Sequence, residues 1–164
     1  SCDSLDIDRV NFKHHSVLMD EDRIDAISQG DIVHWIYSKI TTKVDFSSAI
    51  EKATIRYGLN TEEVLRIKEN LRHLWEIPKV AGWFSEGWEV KNESSILLSN
   101  GKMKRPDRVI VKEHKAIIID YKTGEKSSGH IRQVEEYKTI LGSMGYKNVE
   151  GYLLYMSASE LVEV

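Results

Sequence analysis

The fold of this chain is decided by the stretch Lys-Ala-Ile-Ile-Ile-Asp-Tyr-Lys-Thr-Gly, residues 115–124. Its first half is continuously apolar, as in a strand that is buried on both faces of a sheet. Asp120 and Lys122 share one face at the end of this strand, and Tyr121 lies on the other. A carboxylate that follows three isoleucines is costly to bury unless it is paired or binds a metal. The stretch therefore predicts a central strand that ends in a polar site.

The neighbouring segments predict a mixed sheet around this strand. Strand patterns cover residues 86–98 and 105–112, and the Asn-Gly pair within 99–101 predicts a hairpin between them. A helix over 129–145 and a last strand over 149–156 follow the central strand. This β-β-β-α-β order indicates an α/β fold with a meander and one crossover helix.

Residues 23–79 are mainly helical, and residues 1–22 are predicted to be a loosely packed lead-in. The first helix has an apolar stripe through Ile32, Ile36 and Ile40. A second helix ends at Gly58, and a third begins with Thr61 as its N-cap. We expect Pro78 to close this helical half. The part between residues 45 and 75 is interpreted as an insertion after the first core helix.

Length and composition exclude several classes of protein. The chain has 164 residues, enough for a single domain over 1–164. No segment is apolar for long enough to span a membrane, and no signal peptide is present, so we expect a cytoplasmic protein. Cys2 is the only cysteine, which excludes an iron–sulfur cluster built from several cysteines. The start at Ser1 suggests a fragment cut from a longer protein.

Five short motifs occur in order along these elements. They are Gly30 with His34 on the first helix, Glu93 on the first strand, Pro106-Asp107, Asp120-Tyr121-Lys122-Thr123-Gly124, and Gln133 with Tyr137 on the crossover helix. In this order and spacing they resemble the PD-(D/E)XK nuclease superfamily. Within it they are most similar to the RecB-like C-terminal nuclease domains of UvrD/Rep-type helicases, over about residues 30–156.

The resemblance implies a restriction-endonuclease-like core, with a mixed central sheet in the order αβββαβ and flanking helices. It implies a metal site for Mg²⁺ or Mn²⁺, formed by His34, Asp107, Asp120 and the backbone carbonyl of Tyr121. Lys122 would then activate or orient the attacking water, and Gln133 and Tyr137 would position it or the phosphate. Glu93 would support the site.

The implied activity is hydrolysis of DNA phosphodiester bonds, most simply as an exonuclease, in DNA end processing or recombinational repair. The partners would be single-stranded DNA or a duplex end, and the helicase domains of a parent chain. No phosphate-binding nucleotide loop occurs, so ATP hydrolysis would lie elsewhere. A basic cluster beside the site is predicted to contact DNA, and it comprises Lys102, Lys104, Arg105, Arg108 and Lys126. The alternative function is an inactive nuclease fold that serves as a DNA-binding or scaffolding module.

Overall fold

The computed structural model describes residues 21–92, 94–97 and 100–164, with side chains from residue 30 onward. The contacts divide the chain into two units, Ser1–Asp31 and Ile32–Val164, and the fold below is that of the second unit apart from the start of the first helix. Cys2 and nearly all of the predicted lead-in lie outside the described residues. The interpretation of the chain as one domain of a larger protein stays a prediction.

The described part of the chain contains seven strands in two sheets. The strands are β1 (Glu89–Asn92), β2 (Ile96–Leu97), β3 (Met103–Lys104), β4 (Arg108–Lys112), β5 (Lys115–Lys122), β6 (Asn148–Tyr155) and β7 (Glu160–Glu163). The main sheet has the order β1-β4-β5-β6-β7, and β2 pairs with β3 alone. Only β5 and β6 run parallel among these described pairs. The predicted α/β class with a mixed sheet is confirmed.

One predicted strand is divided in the structure and another is shorter than predicted. The segment 86–98 forms β1 and β2, and the segment 105–112 begins only at Arg108. Pro106 is buried just before β4 and has no N–H to donate, so the chain changes sheets there. The Asn-Gly hairpin is confirmed, because Gly101 has a φ of 81° between β2 and β3. Strand β7 was not predicted from the sequence.

The described helices are α1 (Glu21–Ser38), α2 (Phe46–Tyr57), α3 (Thr61–Trp75), α4 (Pro78–Trp83) and α5 (Ser128–Ser143), with a 3-10 turn at Lys43–Asp45. Two details of the prediction are wrong. The N-cap of α3 is Asn60, whose side chain accepts a hydrogen bond from the Glu63 backbone N–H, and Thr61 is the first helical residue. Pro78 begins α4 instead of ending the helical half, because proline fits the first turn of a helix.

Helices cover both faces of β5. The predicted stripe of α1 is buried against one face, in a cluster that includes Ile36, Ile40 and Ile117. On the other face Ile118 packs with Tyr137 of α5, in a second cluster. The prediction that β5 is buried on both faces is confirmed, and its polar end is therefore fixed between two layers.

Helix α5 lies directly on β6 at Gly151. A Cβ atom at this position would come within 2.5 Å of Val134 Cγ1 and 2.9 Å of Lys138 Cδ. Any side chain at residue 151 would therefore force Val134 and Lys138, or the helix itself, to shift. Among the helices that the structure describes, none has the length and apolar character needed to cross a bilayer.

Candidate active site

The polar end of β5 forms the floor of an open cavity of about 380 Å³. The antiparallel register pairs Arg108 with Ile119, and this places Asp107 beside Asp120 at the same end of the sheet. The cavity is lined by His34 of α1, Arg105 and Asp107 before β4, Asp120, Tyr121 and Lys122 of β5, Thr123, Gly124 and Glu125 after it, and His130 and Gln133 of α5. Four separate segments of the chain therefore meet at one site.

Asp107 is held by the backbone of the neighbouring strand. The Tyr121 backbone N–H donates to Asp107 Oδ2 over 2.8 Å. His34 Nε2 lies 2.8 Å from the carbonyl oxygen of Tyr121 and 3.5 Å from Asp107 Oδ2. Because a carbonyl can only accept, Nε2 carries the hydrogen in this arrangement. The carboxylate, the imidazole and the carbonyl thus converge on one point.

Asp120 is buried and is closely paired with Lys122. Its residue is only 3% exposed, and its Oδ2 lies 2.7 Å from Lys122 Nζ. Although this distance is short, Oδ2 makes no well-aligned hydrogen bond with any residue that the structure describes. We therefore describe the contact as an ion pair. A buried carboxylate oxygen without a hydrogen bond is costly unless another cation is present.

The pKa values of the two carboxyl groups are shifted in opposite directions. Burial, followed by the nearby charge of Asp107, raises the pKa of Asp120 to about 6. Burial also opposes ionisation of Asp107, but the hydrogen bonds from His34 and Asp120 hold the pKa of Asp107 below its usual range. At neutral pH the site therefore holds two adjacent carboxyl groups whose mutual repulsion favours binding of a cation.

Helix α5 supplies the opposite wall of the cavity. Lys122 Nζ donates to Gln133 Oε1 over 3.0 Å, and Gln133 Nε2 donates to the Tyr137 hydroxyl over 3.2 Å. Burial, with the nearby Asp120 charge, raises the pKa of Tyr137 to about 12, so this hydroxyl stays protonated. Tyr137 does not line the cavity itself and contacts it through Gln133.

His130 lines the cavity and was not predicted as a site residue from the sequence. Its Nδ1 lies 3.0 Å from the Tyr155 hydroxyl, and burial together with Lys122 lowers the pKa of His130. The available signal was its position three residues before Gln133, which puts both side chains on one face of α5.

Three of the four predicted metal ligands, His34, Asp107 and the Tyr121 carbonyl, have spacings close to those expected around a small divalent cation. Neighbouring ligands around Mg²⁺ at about 2.1 Å lie about 3 Å apart. The spacings of 2.8 and 3.5 Å from His34 Nε2 to the Tyr121 carbonyl and to Asp107 bracket that value. In the described part of the chain no group of three or more His, Cys, Asp or Glu side chains forms a metal site by itself. The ligand set at this cavity includes a backbone carbonyl, and its nitrogen and oxygen donors suit Mg²⁺ or Mn²⁺.

The residues predicted to contact DNA lie in different environments. Arg105 is exposed on the cavity wall, and Lys102 is exposed on the β2–β3 hairpin. Lys104 pairs with Glu136 at 3.1 Å, which ties that hairpin to α5. Lys126 does not line this cavity. Glu93, the predicted supporting residue, lies outside the described residues.

The prediction that Arg108 contacts DNA is wrong. Its side chain is fully buried and donates to the carbonyl oxygens of Ile40, Thr41 and Trp83 and to Asn92 Oδ1, at 2.6–3.2 Å. Side chains alternate along a strand, so a residue next to Asp107 points away from the cavity. This alternation was readable in the sequence. Arg108 instead fixes the chain after α1, and thereby the helix that carries His34.

A scan against models of protein families finds no match to this chain. A search of curated proteins likewise finds no significant match.

Proposed function

We propose that this chain is a metal-dependent DNA nuclease domain with a PD-(D/E)XK core of the RecB-like type. The observation that carries the proposal is the convergence of His34, Asp107, Asp120, the Tyr121 carbonyl and Lys122 on one open cavity. Each of these groups comes from a motif that the sequence resemblance singles out. Their chemistry, two carboxylates and a lysine beside a cation site, suits hydrolysis of a phosphodiester.

The cation would be held by His34, Asp107, Asp120 and the Tyr121 carbonyl. When bound, a divalent cation supplies Lewis-acid polarisation of the scissile phosphate. Binding through His34 requires that Nε2 give up its hydrogen, so the imidazole must be neutral with its hydrogen on Nδ1. The buried oxygen of Asp120 that lacks a hydrogen bond would gain a partner.

Lys122 is the group that acts on the attacking water and on the phosphate. Asp120 and Gln133 contact its ammonium from two sides, at 2.7 and 3.0 Å, which limits its motion. An ammonium held in this way orients a water molecule and stabilises the negative charge that develops on the phosphate oxygens. Water attacks phosphorus and loses a proton to solvent or to a basic group of the site. The bond from phosphorus to the deoxyribose oxygen breaks, and that oxygen takes a proton from solvent to leave as an alcohol.

Arg105 on the cavity wall and Lys102 on the β2–β3 hairpin are exposed cations that can contact the DNA backbone. Phosphate contacts of this kind give binding that weakens with salt. In the proposed context the domain works at a DNA end or single strand, as the C-terminal module of a UvrD/Rep-type helicase in end processing or recombinational repair. Exonuclease action fits delivery of an end by such a motor.

The test is cleavage of end-labelled linear DNA, single-stranded and duplex, in Mg²⁺, Mn²⁺ or EDTA. We expect metal-dependent cleavage that Asp120→Asn lowers by about 10²–10³-fold or more. The matched control is Glu150→Gln, which removes a carboxylate that pairs with Lys115 at 2.6 Å near the opposite end of β5. This control should cleave like the wild type.

Calorimetry with Mn²⁺ separates the possible causes of a negative result. A folded wild type that binds Mn²⁺ through Asp120 without cleaving DNA would show that the metal site exists but that the nuclease activity needs another domain. A folded wild type that neither binds Mn²⁺ nor cleaves would refute the proposed function.

A further inference from the structure

A second cavity, of about 300 Å³, opens beside the first. Its lining comprises Thr123, Gly124, Glu125, Lys126, Tyr155, Ser157 and Ala158. The first three of these also line the candidate active site, and they form the loop that leaves β5 directly after Lys122. A polymer with one phosphate in the active site can therefore place its adjacent unit in the second cavity.

The walls of the second cavity are mainly apolar and are held in place. Ser157 Oγ donates to the Thr123 carbonyl oxygen over 3.2 Å, which ties the turn after β6 to the loop after β5. The Tyr155 hydroxyl contacts His130, a residue of the first cavity, at 3.0 Å. A pre-formed apolar space next to a phosphate site suits a nucleobase better than a second phosphate.

Lys126 stands at the rim of this cavity in an exposed ion pair. Its Nζ lies 2.6 Å from Glu160 Oε1 and 5.9 Å from the centre of the Tyr155 ring. The side chains of Lys126 and Glu160 are 58% and 46% exposed. A pair this exposed contributes little to stability, so an incoming phosphate can replace the carboxylate at low cost.

We propose that the second cavity is a nucleotide subsite that Glu160 controls. The base next to the scissile phosphate enters the cavity beside Tyr155, and Lys126 leaves Glu160 to bind the adjoining phosphate. This inference rests on the proposed nuclease function for the position of the scissile phosphate. It assigns Lys126 a role in binding DNA that its ion pair masks in the free protein, and it makes Glu160 a competitor of the substrate.

The first test measures the affinity of the whole chain for a fluorescent single-stranded oligonucleotide, by anisotropy in EDTA and low salt. Glu160→Gln frees Lys126, so we expect the Kd to fall about two- to fivefold, the range of an exposed ion pair. The control is Glu163→Gln on the same strand, where the carboxylate lies 4.0 Å from Lys79. It changes the net charge equally and should leave the Kd unchanged. Glu160→Gln should also have no effect in a Lys126→Gln background.

The second test fills the cavity. Ala158→Trp should raise the Kd for the oligonucleotide about tenfold, the loss expected for one base contact. Ser143→Trp, at the exposed end of α5, adds the same bulk elsewhere and should not change the Kd. Circular dichroism of each variant checks that it is folded.

The outcomes separate the subsite from the nuclease function, because none of these measurements requires cleavage. Equal effects of Glu160→Gln and Glu163→Gln would overturn the subsite, and so would an Ala158→Trp variant that binds like the wild type. Cleavage by the wild type would then still stand. If the binding effects appear but the wild type neither binds Mn²⁺ nor cleaves DNA, the subsite is supported and the nuclease function fails.

Discussion

Arg108 and Asp120 are both buried charges near one end of the β4–β5 pair, yet their surroundings differ. Arg108 donates four hydrogen bonds, three of them to backbone carbonyls, and its guanidinium lies 4.1 Å from the centre of the Phe84 ring. Asp120 has Lys122 beside it, but one of its oxygens makes no hydrogen bond with the described residues.

The difference suggests that Arg108 stabilises the fold, whereas Asp120 is placed to bind a ligand. The hydrogen bonds of Arg108 join the chain after α1 to α4 and β1, and each of the two terminal guanidinium nitrogens makes two of them, although Nε makes none with the described residues. The environment of Asp120 raises its pKa to about 6 and leaves it next to a second carboxyl group, Asp107. The pKa shift of Asp120 beside a second carboxyl group therefore supports the candidate site, whereas Arg108 is a charge that joins parts of the fold.

The largest expected effect is the loss of stability in Arg108→Met. This change removes the Arg108 donor from the carbonyls of Thr41 and Trp83 and leaves the Ile40 carbonyl with Asn92 Nδ2 alone. We therefore expect the free energy of unfolding to fall by about 3 kcal/mol or more. Urea denaturation measures it. Lys112→Met, at the exposed end of the same strand, should stay within about 0.5 kcal/mol of the wild type. A loss below about 1 kcal/mol in Arg108→Met would contradict the structural role assigned to Arg108.

The second expected effect is a gain of stability in Asp120→Asn that depends on pH. The pKa of Asp120 is raised in the folded state, so its contribution to stability is present below about pH 4 and is lost as the pH rises through about 6. The metal-free variant should be more stable than the wild type by about 2 kcal/mol at pH 8, and by little at pH 4. Thermal or urea unfolding at both values measures this.

Glu150 serves as a control, because its substitution should change the stability at high pH in the opposite direction. Burial opposes its ionisation, but hydrogen bonds from Lys115 and Tyr152 hold the pKa of Glu150 below its usual range. Glu150→Gln should therefore destabilise the protein at pH 8 and lose that effect as the pH falls through the carboxyl range. If both variants changed the free energy of unfolding at pH 8 in the same direction, the conclusion that ionised Asp120 destabilises the fold would be contradicted.

The smallest expected effect is that of Lys122→Met. Lys122 favours the ionised form of Asp120. The Lys122→Met variant should therefore lose about 1 kcal/mol more of its free energy of unfolding at pH 8 than at pH 4. That pH-dependent part should vanish in an Asp120→Asn background, as measured by a double-mutant cycle. A pH-dependent part that persists in that background would show that Lys122 acts on a titrating group other than Asp120.

Much of the sheet could be predicted because its signals are local. The bounds of β5 match the sequence pattern, since a continuous apolar run between polar residues has few other interpretations. The antiparallel pairing of β4 and β5 then brings Asp107 beside Asp120. The split at Pro106 and the strand β7 were not predicted, because both depend on which segments are free to pair.

The other features of the site depend on contacts between distant residues, which no local sequence pattern indicates. The acceptors of Arg108 are mostly backbone carbonyls, which every residue possesses, so its burial could only be inferred from strand alternation. His130 meets Tyr155 across 25 positions of the chain, and no local pattern encodes that contact. Asn60 and Thr61 are both good N-caps, and their local sequence does not distinguish them.

The close packing at Gly151 links the candidate site to a contact outside it. Helix α5 lies on β6 where residue 151 has no side chain, and Val134 at that contact directly follows Gln133. Gln133 in turn lies 3.0 Å from Lys122 inside the cavity. A methyl group at residue 151 would force Val134, Lys138 or the helix to shift, and a shift of the helix would move Gln133 relative to Lys122. The geometry of the candidate site can therefore be altered without changing any residue inside it.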